Sequence, residues 1–333
     1  MKKPSFARVA LVGTGVIGRC WIQVFARAGC EVRAFDADAE QLAKALSWFK
    51  RDLKDLRRRG LIQKKEAKAR WKRVTAAGSL AEALDGAQYV QESLPEVREI
   101  KNRAFHEIDA LLDSRAIVGS STSAMDMTIL AHGVAGARRF ITAHPVNPPH
   151  LVPVVEVLSG ADTDPKVAAK TMKFLRAVGQ SPVLVRRFVP GFILNRMQAA
   201  LVREAVDLVA TGVADVDAVD TSIRDGLGLR WAFMGPFGVA NTNADRGVRE
   251  YFHRYGKAYE AMWDDLSTRT RFDDELIERL GQATDEMAGT SYEKQRQWRD
   301  RMIRAIRAVK SADPLEPDRP KRRRKRVKAG AEA

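Results

Sequence analysis

The stretch His144-Pro-Val-Asn-Pro-Pro-His-Leu-Val-Pro-Val-Val-Glu156 sets an imidazole and a carboxylate at the two ends of a segment holding four prolines. Proline cannot donate to a sheet ladder and resists helix, so the middle of the segment is a stiff turn. His144 closes one predicted strand, "RFITAHP", and Glu156 lies in another, "LVPVVEV", that can run back beside it. A carboxylate paired with an imidazole orients the ring and stabilises its cationic form. Such a histidine, poised near neutrality, can take the proton released when a secondary alcohol loses hydride. A buried histidine with a purely structural role is the other reading these residues leave open. Of the remaining histidines, His106 lies on a helix and reads as surface. His132 adjoins a glycine turn, and His253 sits in "YFHRYG", where packing is its expected role.

A hydride needs an acceptor. Gly13, Gly15 and Gly18 stand in G-x-G-x-x-G spacing in "VALVGTGVIGRCW", after a predicted strand and at the start of a predicted helix. Asp36 ends the next strand, near the distance the dinucleotide fingerprint requires. Gly13 permits the tight turn, Gly15 lets the backbone approach a pyrophosphate, and Gly18 lets helix and strand pack. Val16 and Ile17 open the helix whose N–H groups and positive end suit phosphate. Asp36 would accept from the adenosine ribose hydroxyls and repel a 2′-phosphate, and no arginine follows it directly in "DADAE". The expected cofactor is NAD rather than NADP. A tight turn without a cofactor is the alternative.

The elements needed to position these groups follow from periodicity. "ARVALVG", "EVRAFD", "AQYVQESL", "AIVGSST", "RFITAHP", "PVVEVLSG" and "SPVLVRR" read as strands, with helical runs between most of them. The implied fold class is α/β: a Rossmann-type, doubly wound, mostly parallel sheet, followed by an all-helical C-terminal domain. Residues 1–187 form the expected NAD-binding domain, with a basic helical hairpin at about 38–72. Residues 188–312 form the helical substrate and dimerisation domain, entered at the punctuating "VPG", and 313–333 a disordered basic tail. Ser123, just after a strand, is either a helix cap for "MDMTIL" or a hydroxyl at the same sheet edge as His144. Asn195 opens the first helix after "VPG", either as an ordinary helix residue or as a donor that cannot titrate.

The chain has 333 residues, 45% of them hydrophobic and 30% charged, enough for two cores. No apolar run approaches the ~20 residues of a bilayer span, and the N-terminal stretch reads as a first strand rather than a signal peptide. Two cysteines, Cys20 and Cys30, fall in different elements and make no metal pattern, as expected in a reducing cytoplasm. Of the net charge of +15, six units belong to residues 318–333, with eight basic and two acidic side chains. That run reads as a solvated tail; the sharper reading is weak, salt-sensitive attraction to polyanions such as nucleic acid, though it lacks aromatic residues for stacking. The hairpin "KRDLKDLRRRGLIQKKEAKARWKR" reads as a solvated helical pair.

"VGTGVIGR", "SSTSAM", "AHPVNPPHLVPVVEV", "VPGFILNR" and "GLGLRWAFMGP" together resemble the 3-hydroxyacyl-CoA dehydrogenase superfamily over nearly all of residues 7–255. Within it the chain is most similar to the λ-crystallin and L-gulonate 3-dehydrogenase branch. The resemblance implies a homodimer built by the helical domain and a catalytic pair of His144 and Glu156. It implies that Ser123 and Asn195 hydrogen-bond the reacting oxygen, and that Glu96 and Lys101 line the cofactor and substrate cleft. Arg230 matches an arginine of the gulonate and carnitine dehydrogenases that acyl-CoA members usually lack. A guanidinium fork suits a carboxylate, whereas a surface arginine snorkelling over Trp231 is the bland reading. The expected substrate is therefore a small free 3-hydroxy acid of the L-gulonate type. A 3-hydroxyacyl-CoA such as 3-hydroxybutyryl-CoA, L-carnitine, and a crystallin-like NAD-binding protein without turnover are the alternatives.

Overall fold

Short β-branched and apolar runs alternate with amphipathic helices through the first two hundred residues, and each run becomes a strand of one sheet. In the computed structural model, which describes residues 4–266, 270–288 and 291–312, the strands are β1 (Arg8–Val12), β2 (Glu31–Phe35), β3 (Val74–Ala76), β4 (Tyr89–Glu92), β5 (Ile117–Ser120), β6 (Phe140–Pro145), β7 (Val154–Ser159) and β8 (Ser181–Leu184). The basic tail expected from residue 313 lies outside the described residues. The sheet order is β3-β2-β1-β4-β5-β6-β7-β8. All neighbours are parallel except β6 and β7, which are antiparallel and place His144 directly opposite Glu156. The chain departs from β1 to one side and returns on the other at β4, the crevice where open α/β sheets take their ligands.

The first unit's helices are α1 (Val16–Ala28), α2 (Ala39–Arg58), α3 (Lys64–Lys72), α4 (Leu80–Leu84), α5 (Arg98–Leu111), α6 (Met127–Leu130), α7 (Pro165–Ala177) and the first part of α8 (Leu194–Ala210). The expected hairpin is α2 and α3, broken at Gly60 in the left-handed conformation. The short β3 and α4 were not legible in the sequence, because three strand residues and five helical ones are too few to show a period. Two large buried clusters form most of the core, and a small third one holds Leu158, Val185 and Phe192. Of the large clusters, one includes Trp21, Phe25, Phe49, Tyr89 and Phe174; the other, Val90, Phe105, Val118 and Phe140.

The chain divides into two compact units, the first ending at Ala200 and the second beginning at Leu201, within α8. The expected boundary at 187/188 precedes that helix. The described part of the second unit is helical: α9 (Val216–Thr221), a π-helical turn (Ser222–Leu227), α10 (Gly228–Trp231), α11 (Pro236–Thr242), α12 (Val248–Asp265), α13 (Asp274–Ala288) and α14 (Tyr292–Ala312). No described helix is long and apolar enough to cross a membrane.

Candidate active site

The loop from β1 into α1 has the form its glycines demand. Gly13 adopts φ +88°, and a Cβ there would sit 2.7 Å from the Ser93 carbonyl. A Cβ on Gly18 would come within 2.0 Å of the Gly13 carbonyl oxygen, so only glycine lets α1 pack on the loop. Gly15 differs: a Cβ on it would meet nothing within 4 Å. The protein leaves that space open beside Gly15, the N-cap of α1, where no side chain caps the helix ahead of Val16 and Ile17. Unsatisfied N–H groups facing open space fit a pyrophosphate. Asp36 follows β2, where one carboxylate oxygen accepts from the Thr14 amide (2.7 Å) and hydroxyl (2.9 Å) and the other from the Asp38 amide (3.1 Å). These bonds tie the end of β2 to the glycine loop and set the Asp36 carboxylate beside it.

Beside this loop, a cleft of about 430 Å³ gathers Ile17, Ser123, His144 and Asn195 with Glu96, all from the first unit. The ends of three strands and the starts of two helices build it. Ser93 follows β4, Ser121 and Ser123 follow β5, His144 lies near the end of β6, and Ile17 and Asn195 open α1 and α8. The His144 Nδ1 stands 2.9 Å from Glu156 Oε2, and both residues are buried. The other oxygen, Oε1, accepts from the amides of Ile193 (2.8 Å) and Leu194 (3.0 Å) at the start of α8. Burial pushes the Glu156 carboxyl up, but the bond from His144, those two amides and the His144 charge together outweigh it, leaving its pKa below the ordinary carboxylate range. Glu156 therefore remains an anion beneath the imidazole. With Nδ1–H donated to it, Nε2 holds the basic lone pair.

Phe192 packs edge-on against the His144 ring at 5.5 Å and is fully buried, yet its φ is +49°. A bulky residue in the left-handed region costs about 1 kcal/mol or more. Its burial and the neighbouring Gly191 hold the turn that aims two amides at Glu156.

Ser123 is not the cap of α6, which is Asp126, whose side chain accepts from the Thr128 amide at 2.9 Å. Ser123 instead stands in the cleft wall with its amide 2.8 Å from Glu96 Oε1, which also accepts from the Thr122 hydroxyl (2.5 Å) and the Ala124 amide (3.2 Å). Burial raises the Glu96 carboxyl, but Thr122, the Lys101 charge and the Ser123 amide outweigh this and hold it below its ordinary value. Asn195 faces the same cleft from the first turn of α8, and Gln198 lies one turn further on that face.

Lys101 corrects an expectation. It is 1% exposed and does not line the cleft; it lies behind Glu96, with Nζ 2.8 Å from Glu92 and 3.3 Å from Glu96. Glu92 was missed in the sequence. It is fully buried, bonds the Ser120 hydroxyl, and accepts from the Leu94 amide at 2.6 Å. The one charged residue in the predicted strand "AQYVQESL" was the available signal, since a buried charge needs a partner. Ser121 was also missed: its hydroxyl stands 2.8 Å from that of Ser93, and it accepts from Gln91 (2.9 Å) and Trp21 (3.3 Å) beneath the cleft floor.

Arg230 belongs to the second unit, exposed on α10 and within electrostatic reach of Tyr251, so it is not one of the residues the first unit gathers around His144.

Residues 8–188 match the model of the 3-hydroxyacyl-CoA dehydrogenase NAD binding domain, and residues 191–291 that of the corresponding C-terminal domain. λ-Crystallin of Oryctolagus cuniculus is 32% identical over 308 residues, spanning 91% of this chain and 96% of that protein. An L-carnitine dehydrogenase of Oceanobacillus iheyensis is 36% identical over 276 residues, 82% of this chain and 88% of that one. Among solved structures, an NAD+-dependent 5-formyl-3-hydroxy-2-methylpyridine 4-carboxylic acid 5-dehydrogenase is similar with a TM-score of 0.76 at 28% identity, covering 92% of this chain and 98% of its own.

Proposed function

The chain belongs to the 3-hydroxyacyl-CoA dehydrogenase family, NAD-dependent oxidoreductases of a CH–OH group, and within it we propose that it oxidises the 3-hydroxyl of a small free 3-hydroxy acid of the L-gulonate type. Bound NAD supplies the acceptor for the hydride. The chain's own residues do the rest. His144 Nε2 takes the hydroxyl proton, and the imidazolium that results is stabilised by Glu156 at 2.9 Å. Ser123 and Asn195 donate to the reacting oxygen and fix the alcohol against the cofactor. The stiff turn between β6 and β7 and the two amides at Glu156 fix the pair before substrate arrives.

Arg230 supports a free acid. It is exposed, and among the described residues it has no carboxylate partner, so its guanidinium is free for a substrate carboxylate. A thioester carries no carboxylate at its acyl end. L-Carnitine is the second reading, favoured by the half-exposed Trp231 and Phe233 three residues or fewer from Arg230, since aromatic faces suit a quaternary ammonium. NAD reduction measured against L-gulonate, 3-hydroxybutyrate, L-carnitine and 3-hydroxybutyryl-CoA tests the proposal. The highest kcat/KM is expected for L-gulonate; a highest value for the CoA ester overturns it. Tight NAD binding with turnover of none of the four would instead favour a crystallin-like role.

A further inference from the structure

A groove of about 640 Å³ outside the active site runs between α2 and α3. Its walls carry Lys50, Arg51, Lys54 and Arg57 from α2 and Lys64 and Lys68 from α3, and all six are exposed. None of these six has a carboxylate partner among the described residues. The acidic side chains of the same hairpin are engaged elsewhere: Glu40 binds Lys44, Asp52 accepts from Gln23, Asp55 binds Arg58 and Arg59, and Glu66 binds Arg70. A merely solvated helical pair would intersperse its charges. This one sorts cations into the groove and ties each of these anions to another partner. The floor is apolar, made by Leu53, Ala67 and Trp71. Trp71 stacks on buried Phe49 at 5.9 Å, which fixes its ring, and remains 37% exposed. Lys50 already lies near it, 5.6 Å from the ring centroid. A small hydroxy acid has no group for this groove.

We propose that the groove between α2 and α3 binds single-stranded nucleic acid, with its cations along the phosphate backbone and Trp71 as the platform for a base. Cations four residues apart on a helix are about 6 Å apart along its axis, a step on the scale of successive phosphates in an extended strand. A basic groove interleaved with an aromatic ring is the combination that holds single strands without sequence readout. An acidic peptide would satisfy the charge but would leave the oriented Trp71 unused.

Anisotropy of a labelled fifteen-nucleotide oligouridylate, titrated with the full-length protein over a salt series, tests this. Binding is expected in the range of roughly 1–100 µM, weakening as salt rises. Lys54→Ala with Lys68→Ala should make the salt slope shallower by about 1.4, near 0.7 for each phosphate no longer neutralised. Trp71→Leu should weaken binding about 5- to 150-fold, the scale of removing one base stack, while Trp71→Phe should retain most of it. NAD binding, unchanged in every variant, reports that the fold is intact whatever the substrate proves to be. The proposal is overturned if the groove variants bind as the parent does, or if affinity falls only when Arg322, Arg323 and Arg324 are changed to alanine. It is equally overturned if polyglutamate competes as well as RNA and Trp71→Leu has no effect, or if the groove takes CoA while the oligonucleotide does not bind.

Discussion

At the scale of single residues, the chemistry rests on keeping one charge negative and one nitrogen basic. His144→Gln should lower turnover by roughly 10²–10⁴-fold while leaving NAD affinity nearly unchanged, because a general base acts on the proton and not on the cofactor. Full activity in that variant would remove His144 from the mechanism. Glu156→Gln should lower the rate less and shift the pH–rate profile. The same group carries a stability signature. Its folded pKa lies below the ordinary value, so its contribution is present above the unfolded pKa of about 4.3 and is lost as pH falls through the folded one. Glu156→Gln should therefore flatten the acid limb of the unfolding profile, measured by urea titration below pH 5. We propose that Asp36 governs cofactor choice. NAD should bind at least about tenfold more tightly than NADP, since a like-charge contact costs on the order of 1–3 kcal/mol, and Asp36→Ala should narrow the gap in calorimetry.

At the scale of elements, the β1–α1 loop separates two jobs that the glycine spacing alone presents as one. Gly18 serves the fold: with the Gly13 oxygen 2.0 Å from where its Cβ would lie, Gly18→Ala must push α1 off the sheet and should lower both the melting temperature and NAD affinity. Gly15, we propose, serves the ligand. Its Cβ position is open, so Gly15→Ala should melt near the parent temperature and still lose NAD affinity, as the added methyl occupies the space reserved for phosphate. If both variants melt normally and bind NAD normally, the loop is not the cofactor's cradle. The same division runs through the β4–α5 connection, where Glu96 holds the Ser123 loop from the cleft side while the buried pair of Lys101 and Glu92 holds the connection from behind.

At the scale of the whole molecule, the second unit has little interior of its own. Its buried hydrophobic residues among those described are Val206, Val239, Ala240 and Leu276, whereas Leu229, Phe233, Phe237, Trp263 and Phe272 are more than half exposed. So large an apolar surface on helices calls for a cover, and we propose a second copy of this chain as that cover. Light scattering should give twice the chain mass, and Phe237→Asp should shift it toward the monomer; a monomeric parent protein would refute the dimer. Arg230 belongs to this scale because it lies in the second unit. Arg230→Met should raise KM for the free acid about 10- to 150-fold, the value of a charge-assisted bond to a bound anion, and Arg230→Lys should restore only part of it. Unchanged constants would move the substrate toward the acyl-CoA reading.

By itself the sequence determined what depends on local pattern. Alternating strands and helices specified the doubly wound sheet, glycine spacing and Asp36 specified the dinucleotide loop, and the proline-rich turn between His144 and Glu156 implied an antiparallel return that the sheet register realises. These are short-range features, set by steric limits on the backbone and by period. What only the tertiary structure decided involves groups far apart in the chain. Lys101 could not be placed behind Glu96, nor Glu92 recognised as its partner, until the strand carrying Glu92 was buried and required a counter-charge. The amides that hold Glu156 come from Ile193 and Leu194, past a Phe192 whose left-handed backbone no propensity predicts. The sorting of charge on the basic hairpin was equally hidden, because composition counts its lysines and arginines but not which carboxylates turn away from them; that depends on how α2 and α3 face one another across Trp71.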